Sequence, residues 1–236
     1  MDLKRNWAYY GIFIFVVSMQ LYFMKCNSGL QKMMPILSRL NENEMGEEYV
    51  LVYMAFLTPV IILILYFAEW KDFYVDSYGV LKLSRSVNIY SYVARLLLKI
   101  GKQVFTFVVL SVLINYIVDY KYANNHFDKM FFDFFDYFMT IFNMCIFVFL
   151  ISLYIKRTAA AVVCIIFSII GNCVFNTEHG IASVFLFNHI VKNGKYNGIE
   201  EYIEYILLEI ALCVIFYFAC VWKIKNRDFY GGRYDG

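Results

Sequence analysis

The stretch "VDSYGVLKLSRSVNIYSYVARLLLKIGKQ", residues 75–103, sets five basic residues between two strongly apolar runs. The runs on either side, 49–67 and 104–119, carry almost no charge. Continuous apolar segments of this length read as helices able to cross a hydrocarbon core about 30 Å thick. A charged island between two such runs reads as a connection at one membrane face, and the rest of the chain sorts in the same way.

The chain has 236 residues, of which 61% are hydrophobic and 17% charged. Soluble domains carry about 25% charged residues. Here the charge collects in islands, and the apolar runs between them give six spans: 7–24, 49–67, 104–119, 134–155, 158–175 and 203–222. Only helices or closed barrels satisfy their backbone in lipid. The runs are continuous rather than alternating, which excludes a barrel pattern. The expectation is an all-α integral membrane protein, one transmembrane domain over 1–236. The first run follows Lys4 and Arg5 but is long for a signal peptide and lacks a small-x-small cleavage site, so it reads as a span. A net charge of +2 gives no nucleic-acid footprint. Two prolines, no Ser/Gly-rich tract and no fixed-period repeat leave no linker or second domain. The six cysteines form no CxxC pair, and five of them fall in apolar runs as small packers.

Orientation follows from Lys and Arg in the loops. With both termini on one side, that side collects fourteen of them and the other side seven. The fourteen include Lys71, Lys82, Arg85, Arg95, Lys99 and Lys102 in the long loop, and Lys156 and Arg157 in a tight turn. Both termini and the long loop are therefore expected in the cytoplasm, and acidic stretches such as "NENEMGEE" (41–48) outside. Topology alone does not explain a long loop, because the turn at Lys156 and Arg157 does the same work in two residues.

Within that loop Arg95, Lys99 and Lys102 fall on one helical face and Tyr92, Leu96 and Ile100 on another. This amphipathic helix leads straight into the third span. Two readings stand: an interfacial helix with its basic face toward anionic lipid, or part of a docking element for a cytoplasmic partner. The preceding "DSYGVLKLSRS" reads as a turn and a short helix.

Six spans, cytoplasmic ends and a long loop between spans two and three resemble the permease subunit of an ABC-2 type transporter. In that family the loop carries an acidic residue, a glycine, a leucine-containing stretch, a Pro-Val-Ser-like patch and a basic residue. Asp76, Gly79, Leu81 with Leu83, Ser86-Val87-Asn88, and Arg95 or Lys99 stand in those places, with aspartate for glutamate and no proline. The family's elbow before span one is short or missing here. "NTEHGIASVFLFNHIVKNGKYNGIEEY" (176–202) has the character of its short outer-side helices between spans five and six. The resemblance implies a bacterial plasma-membrane exporter subunit that pairs with a second permease, identical or homologous, and with two separate ATPases. ATP and Mg would sit on those partners and no cofactor on this chain, which has no GxxxxGK[ST] motif. It also implies that Asp76, Tyr78, Gly79, Leu81, Lys82, Leu83 and Arg85 meet the ATPase, with Lys82 and Arg85 reaching acidic grooves and Tyr78, Leu81 and Leu83 as the apolar anchor.

Polar groups inside the spans are the other candidates. Glu209 lies in the last span, where an ionised carboxylate costs roughly 2.5–3.5 kcal/mol, so it faces protein or water. Asn115, Asn143 and Asn172 sit in spans three, four and five. They read as interhelical packing bonds or as a pathway lining. Asp133 and Asp136 read as an acidic rim and match no metal motif.

Two other classes stay open. An intramembrane enzyme would use Phe185 and His189 in an FxxxH pattern with a glutamate pair. The pairs present, Glu47 with Glu48 and Glu200 with Glu201, lack the arginine that pattern needs, since Val52 and Tyr205 stand there. A non-transporting immunity or sensor protein would share the same hydropathy. The substrate expected for an exporter is amphipathic or hydrophobic: a peptide, lipid or drug.

Overall fold

The computed structural model describes residues 3–26, 49–76, 88–118, 127–174 and 199–226. Among these it is all helical: α1 (Leu3–Cys26), α2 (Tyr49–Ala68), α3 (Ile89–Val118), α4 (Phe127–Tyr154), α5 (Arg157–Val174) and α6 (Ile199–Lys225). A π-helical turn, Asp72–Asp76, follows α2. The six apolar runs each fall on one of these helices. Most of the loop's docking stretch (77–87) and the 176–198 region expected to hold outer-side helices lie outside the described residues.

Local chemistry sets the ends. Asn88 caps α3: its Oδ1 accepts from the Tyr90 N–H at 2.9 Å and the Ser91 N–H at 3.4 Å. α6 ends on Lys223 and Lys225, cations that suit the negative end of the helix dipole. α2 runs unbroken through Pro59, although proline removes one backbone donor there.

α4 is the hub and packs against α2, α3, α5 and α6. It is buried nearly all round over one stretch, from Tyr137 through Thr140, Ile141, Met144, Val148 and Phe149. α1 closes the side between α2 and α3. There Phe107 of α3 meets Tyr10 and Phe13 of α1, each at 4.8 Å between ring centroids, and Tyr66 of α2 at 5.6 Å. α3 and α4 approach closely at Gly101, where a Cβ would stand 3.3 Å from Phe142 Cε2.

End contacts fix the helix directions. Tyr9 near the start of α1 stacks edge-on against Tyr66 near the end of α2 at 5.0 Å. Tyr217 near the end of α6 donates to the Tyr90 carbonyl in the first turn of α3 at 3.2 Å. Arg157 opens α5 and reaches Asp72 just past α2. Lys223 lies 4.2 Å over the Tyr154 ring that ends α4. The starts of α1, α3 and α5 and the ends of α2, α4 and α6 therefore share one end of the bundle.

Three segments among the described residues are long and apolar enough to cross a membrane: Ile89–Ile114, Tyr137–Tyr154 and Ile206–Lys225. Large apolar side chains also stand exposed, as in the α6 stripe Ile203, Leu207, Ile210, Val214, Phe218 and Trp222. Soluble monomers rarely expose contiguous apolar patches beyond a few hundred Å². This is a membrane-embedded helical architecture.

One expectation changes in detail. The amphipathic segment 89–103 is not a separate helix lying flat; it is the first half of α3, which has 30 residues and is about 45 Å long. Val93, Leu96, Leu97 and Ile100 are buried in the bundle, so the main apolar face of this segment packs on other helices rather than lying on a bilayer.

Candidate functional site

Two polar places stand out, one at the shared end of the bundle and one at mid-depth. At the end, the backbone leaving α2 passes Glu69, Trp70 and Lys71 before the π-helical turn. Arg157 Nη1 bridges outward from α5, 3.1 Å from Asp72 Oδ2 and 3.9 Å from Glu69 Oε1. Lys71 Nζ lies 3.7 Å from Asp76 Oδ2 and 3.4 Å from the Ile155 carbonyl in the α4–α5 turn. The segment after α2 is thus tied to the turn between α4 and α5. These pairs are partly exposed, so each contributes at most about 1 kcal/mol. Their role is positional: they hold the start of the long loop.

The loop's other side is held as well. The Tyr92 hydroxyl donates to the Tyr74 carbonyl, and Lys99 Nζ sits 5.0 Å from the Tyr74 ring centroid. Burial pushes the Tyr74 phenol above its ordinary value, so the ring under the ammonium stays neutral. Asp76 and Asn88, the residue that caps α3, are the described residues on either side of 77–87. Of the expected docking residues, Asp76 pairs with Lys71; Tyr78, Gly79, Leu81, Lys82, Leu83 and Arg85 lie outside the described residues.

At mid-depth, Asn143 of α4 and Glu209 of α6 are both fully buried and bonded to each other. Asn143 Nδ2 donates to the Glu209 carbonyl at 2.8 Å and to Glu209 Oε2. A backbone carbonyl only accepts, so this contact fixes which way the amide points. Asn143 Oδ1 is buried with no hydrogen-bond partner among the described residues. Two of the intramembrane candidates are thus a single interhelical pair. Asn115 stands near the far end of α3 and Asn172 near the end of the shorter α5.

Sequence reasoning missed Glu69 and Asp72 as partners of Arg157, because the turn was weighed only as a topology signal. It also missed Asn88 as a cap, although an Asn just before an apolar-periodic run is the usual sign. Cys145, Cys164 and Cys220 are buried, as small apolar packers should be. Among the described residues no group of three His, Cys, Asp or Glu stands close enough to hold a metal.

No curated protein and no solved structure matches the chain. A family model does, over residues 12–230, and it carries the description "Protein of unknown function (DUF2705)". That match covers nearly the whole chain, from the middle of α1 through the end of α6, so the chain belongs to the DUF2705 family.

Proposed function

We propose that this chain is the permease subunit of an ATP-driven exporter in the bacterial cytoplasmic membrane. All six helices cross the bilayer in this reading, and the end of the bundle that gathers Lys71, Lys99, Arg157 and Lys223 faces the cytoplasm. ATP and Mg belong to separate ATPase subunits, and a second permease completes the transporter. The substrate class is amphipathic or hydrophobic.

The observation that carries the reading is the pair of anchors around 77–87. Lys71 with Asp76 holds one side, and the Asn88 cap with Tyr92 on Tyr74 holds the other. A load on this segment reaches α2 and α3 directly and α5 through Arg157. An ATPase moves a permease only by binding its two conformations unequally, and a floppy attachment would not transmit that difference.

The test is native mass spectrometry of the complex extracted gently from its host membrane. Two permease-sized chains with two soluble ATPase chains support the proposal. A chain that stays alone across mild detergents refutes it. Arg85→Glu with Leu81→Asp should abolish ATPase association and leave membrane insertion intact; normal retention of the ATPase removes the docking assignment.

A further inference from the structure

α3 presents one exposed stripe along its length. Ser91, Arg95, Leu98, Lys102 and Phe105 follow at helical spacing and are all exposed, with exposed Lys99 beside them. Beyond Phe105 the exposed large side chains are Leu113, Tyr116 and Ile117. The stripe is basic in its first half and apolar in its second, and α3 contains no acidic residue.

The three cations lack carboxylate partners among the described residues. Arg95 Nε donates to the Ser91 carbonyl of its own helix at 3.2 Å, and Lys99 rests on Tyr74. The carboxylates at this end, Glu69, Asp72 and Asp76, face Arg157 and Lys71 instead. Thr106 turns its hydroxyl back onto the Lys102 carbonyl at 2.9 Å.

We propose that this stripe binds an anionic phospholipid. Its phosphate lies against Lys99 and Lys102, with Arg95 one turn further out, and an acyl chain runs along Phe105 toward Leu113 and Ile117. Charge complementarity selects the headgroup. A soluble partner would cover only the basic half, whereas a lipid matches both halves in their order along the helix. Leu98 is 72% exposed between Arg95 and Lys102, a position suited to the headgroup boundary rather than to water. The site rests on membrane embedding and not on transport, so failure to find an ATPase leaves it standing.

The experiment uses the full chain in nanodiscs of mixed phosphatidylglycerol and phosphatidylcholine, released into a native mass spectrometer. Retained phosphatidylglycerol in excess of its share in the disc is the expected result. A basic residue near an anionic surface is worth about fivefold in binding, so Lys102→Gln should cut retention about fivefold and Lys99→Gln with Lys102→Gln more. Lys102→Arg should keep it. Lys156→Gln, an exposed cation at the same end but off the stripe, should also keep it, and all variants should elute as the wild type does. Equal retention of both lipids by the wild type overturns the site, as does an equal loss in Lys156→Gln. So does loss of a co-purifying soluble protein from Lys102→Gln with lipid retention unchanged, which would make the stripe a protein-docking face.

Discussion

Removing Asn143 should cost more than a mid-membrane amide usually does. Interhelical hydrogen bonds in bilayers average about 0.6 kcal/mol and reach about 1.7. Asn143, however, satisfies two acceptors of one residue, the carbonyl and carboxyl of Glu209, and both residues are fully buried. Taking a donor away from a buried carboxyl costs about 1–3 kcal/mol, and more when charge is involved. Asn143→Leu is therefore expected to destabilise the bundle by about 2–3 kcal/mol, although it keeps the volume. Glu209→Leu should cost less, about 1–2 kcal/mol, because the amide keeps the backbone carbonyl as partner. The double variant should lie within about 1 kcal/mol of the wild type, since replacing both partners of a buried polar pair by apolar groups is nearly neutral. Reversible unfolding in mixed micelles, read by tryptophan fluorescence, gives the three values and their coupling energy. Additive losses in the double variant would refute the pairing, and so would an Asn143→Leu protein as stable as the wild type.

Three smaller perturbations test the elements around the long loop. Asn88→Ala should cost about 1 kcal/mol through the lost cap, seen as faster amide exchange at Tyr90 and Ser91, whose N–H groups it now holds. Gly101→Ala should stay within about 1 kcal/mol of the wild type, because the gain in helix propensity offsets a small shift of Phe142. Gly101→Leu should lose about 1–3 kcal/mol by overpacking, both read as unfolding midpoints. Arg157→Gln should change global stability by less than about 1 kcal/mol, as partly exposed ion pairs do. In a double-mutant cycle with Asp72→Asn it should still show a coupling that vanishes at high salt.

The helices were legible because each carries a continuous apolar run, the pattern lipid imposes on a membrane-embedded helix. Hydropathy alone placed the six helices to within a few residues at most ends, and the structure extends α3 furthest beyond its limits, back to Ile89, with α4 and α6 lengthened less. The mid-depth pair was half legible. Glu209 and Asn143 each broke an apolar run and drew attention, but 66 positions separate them, and no periodicity tells which helices are neighbours. The direction of 89–103 was open for the same reason. Its two faces are equally compatible with lying on a membrane and with entering a bundle. What decides is whether Val93, Leu96, Leu97 and Ile100 find neighbours to bury against; all four are buried, and α3 packs on α1, α4 and α6.

The placement of α4 makes a further prediction about motion. α4 holds α6 through Asn143 and through the Phe147–Phe216 ring contact at 5.7 Å, so these two helices should move as one body. α2 and α3 bear the two anchors of 77–87 and pack on α4 through apolar contacts such as Phe105–Phe138 at 6.1 Å, which can slide without breaking a buried polar bond. In the transport reading, the working displacement is therefore α2 and α3 against α4 and α6. A short cross-linker between Phe147→Cys and Phe216→Cys should leave export intact, whereas the same reagent between Phe105→Cys and Phe138→Cys should stop it and spare ATPase binding. The reverse pattern would put the moving interface between α4 and α6, and the Asn143–Glu209 pair would then be the bond that breaks in each cycle rather than the one that keeps the rigid body together.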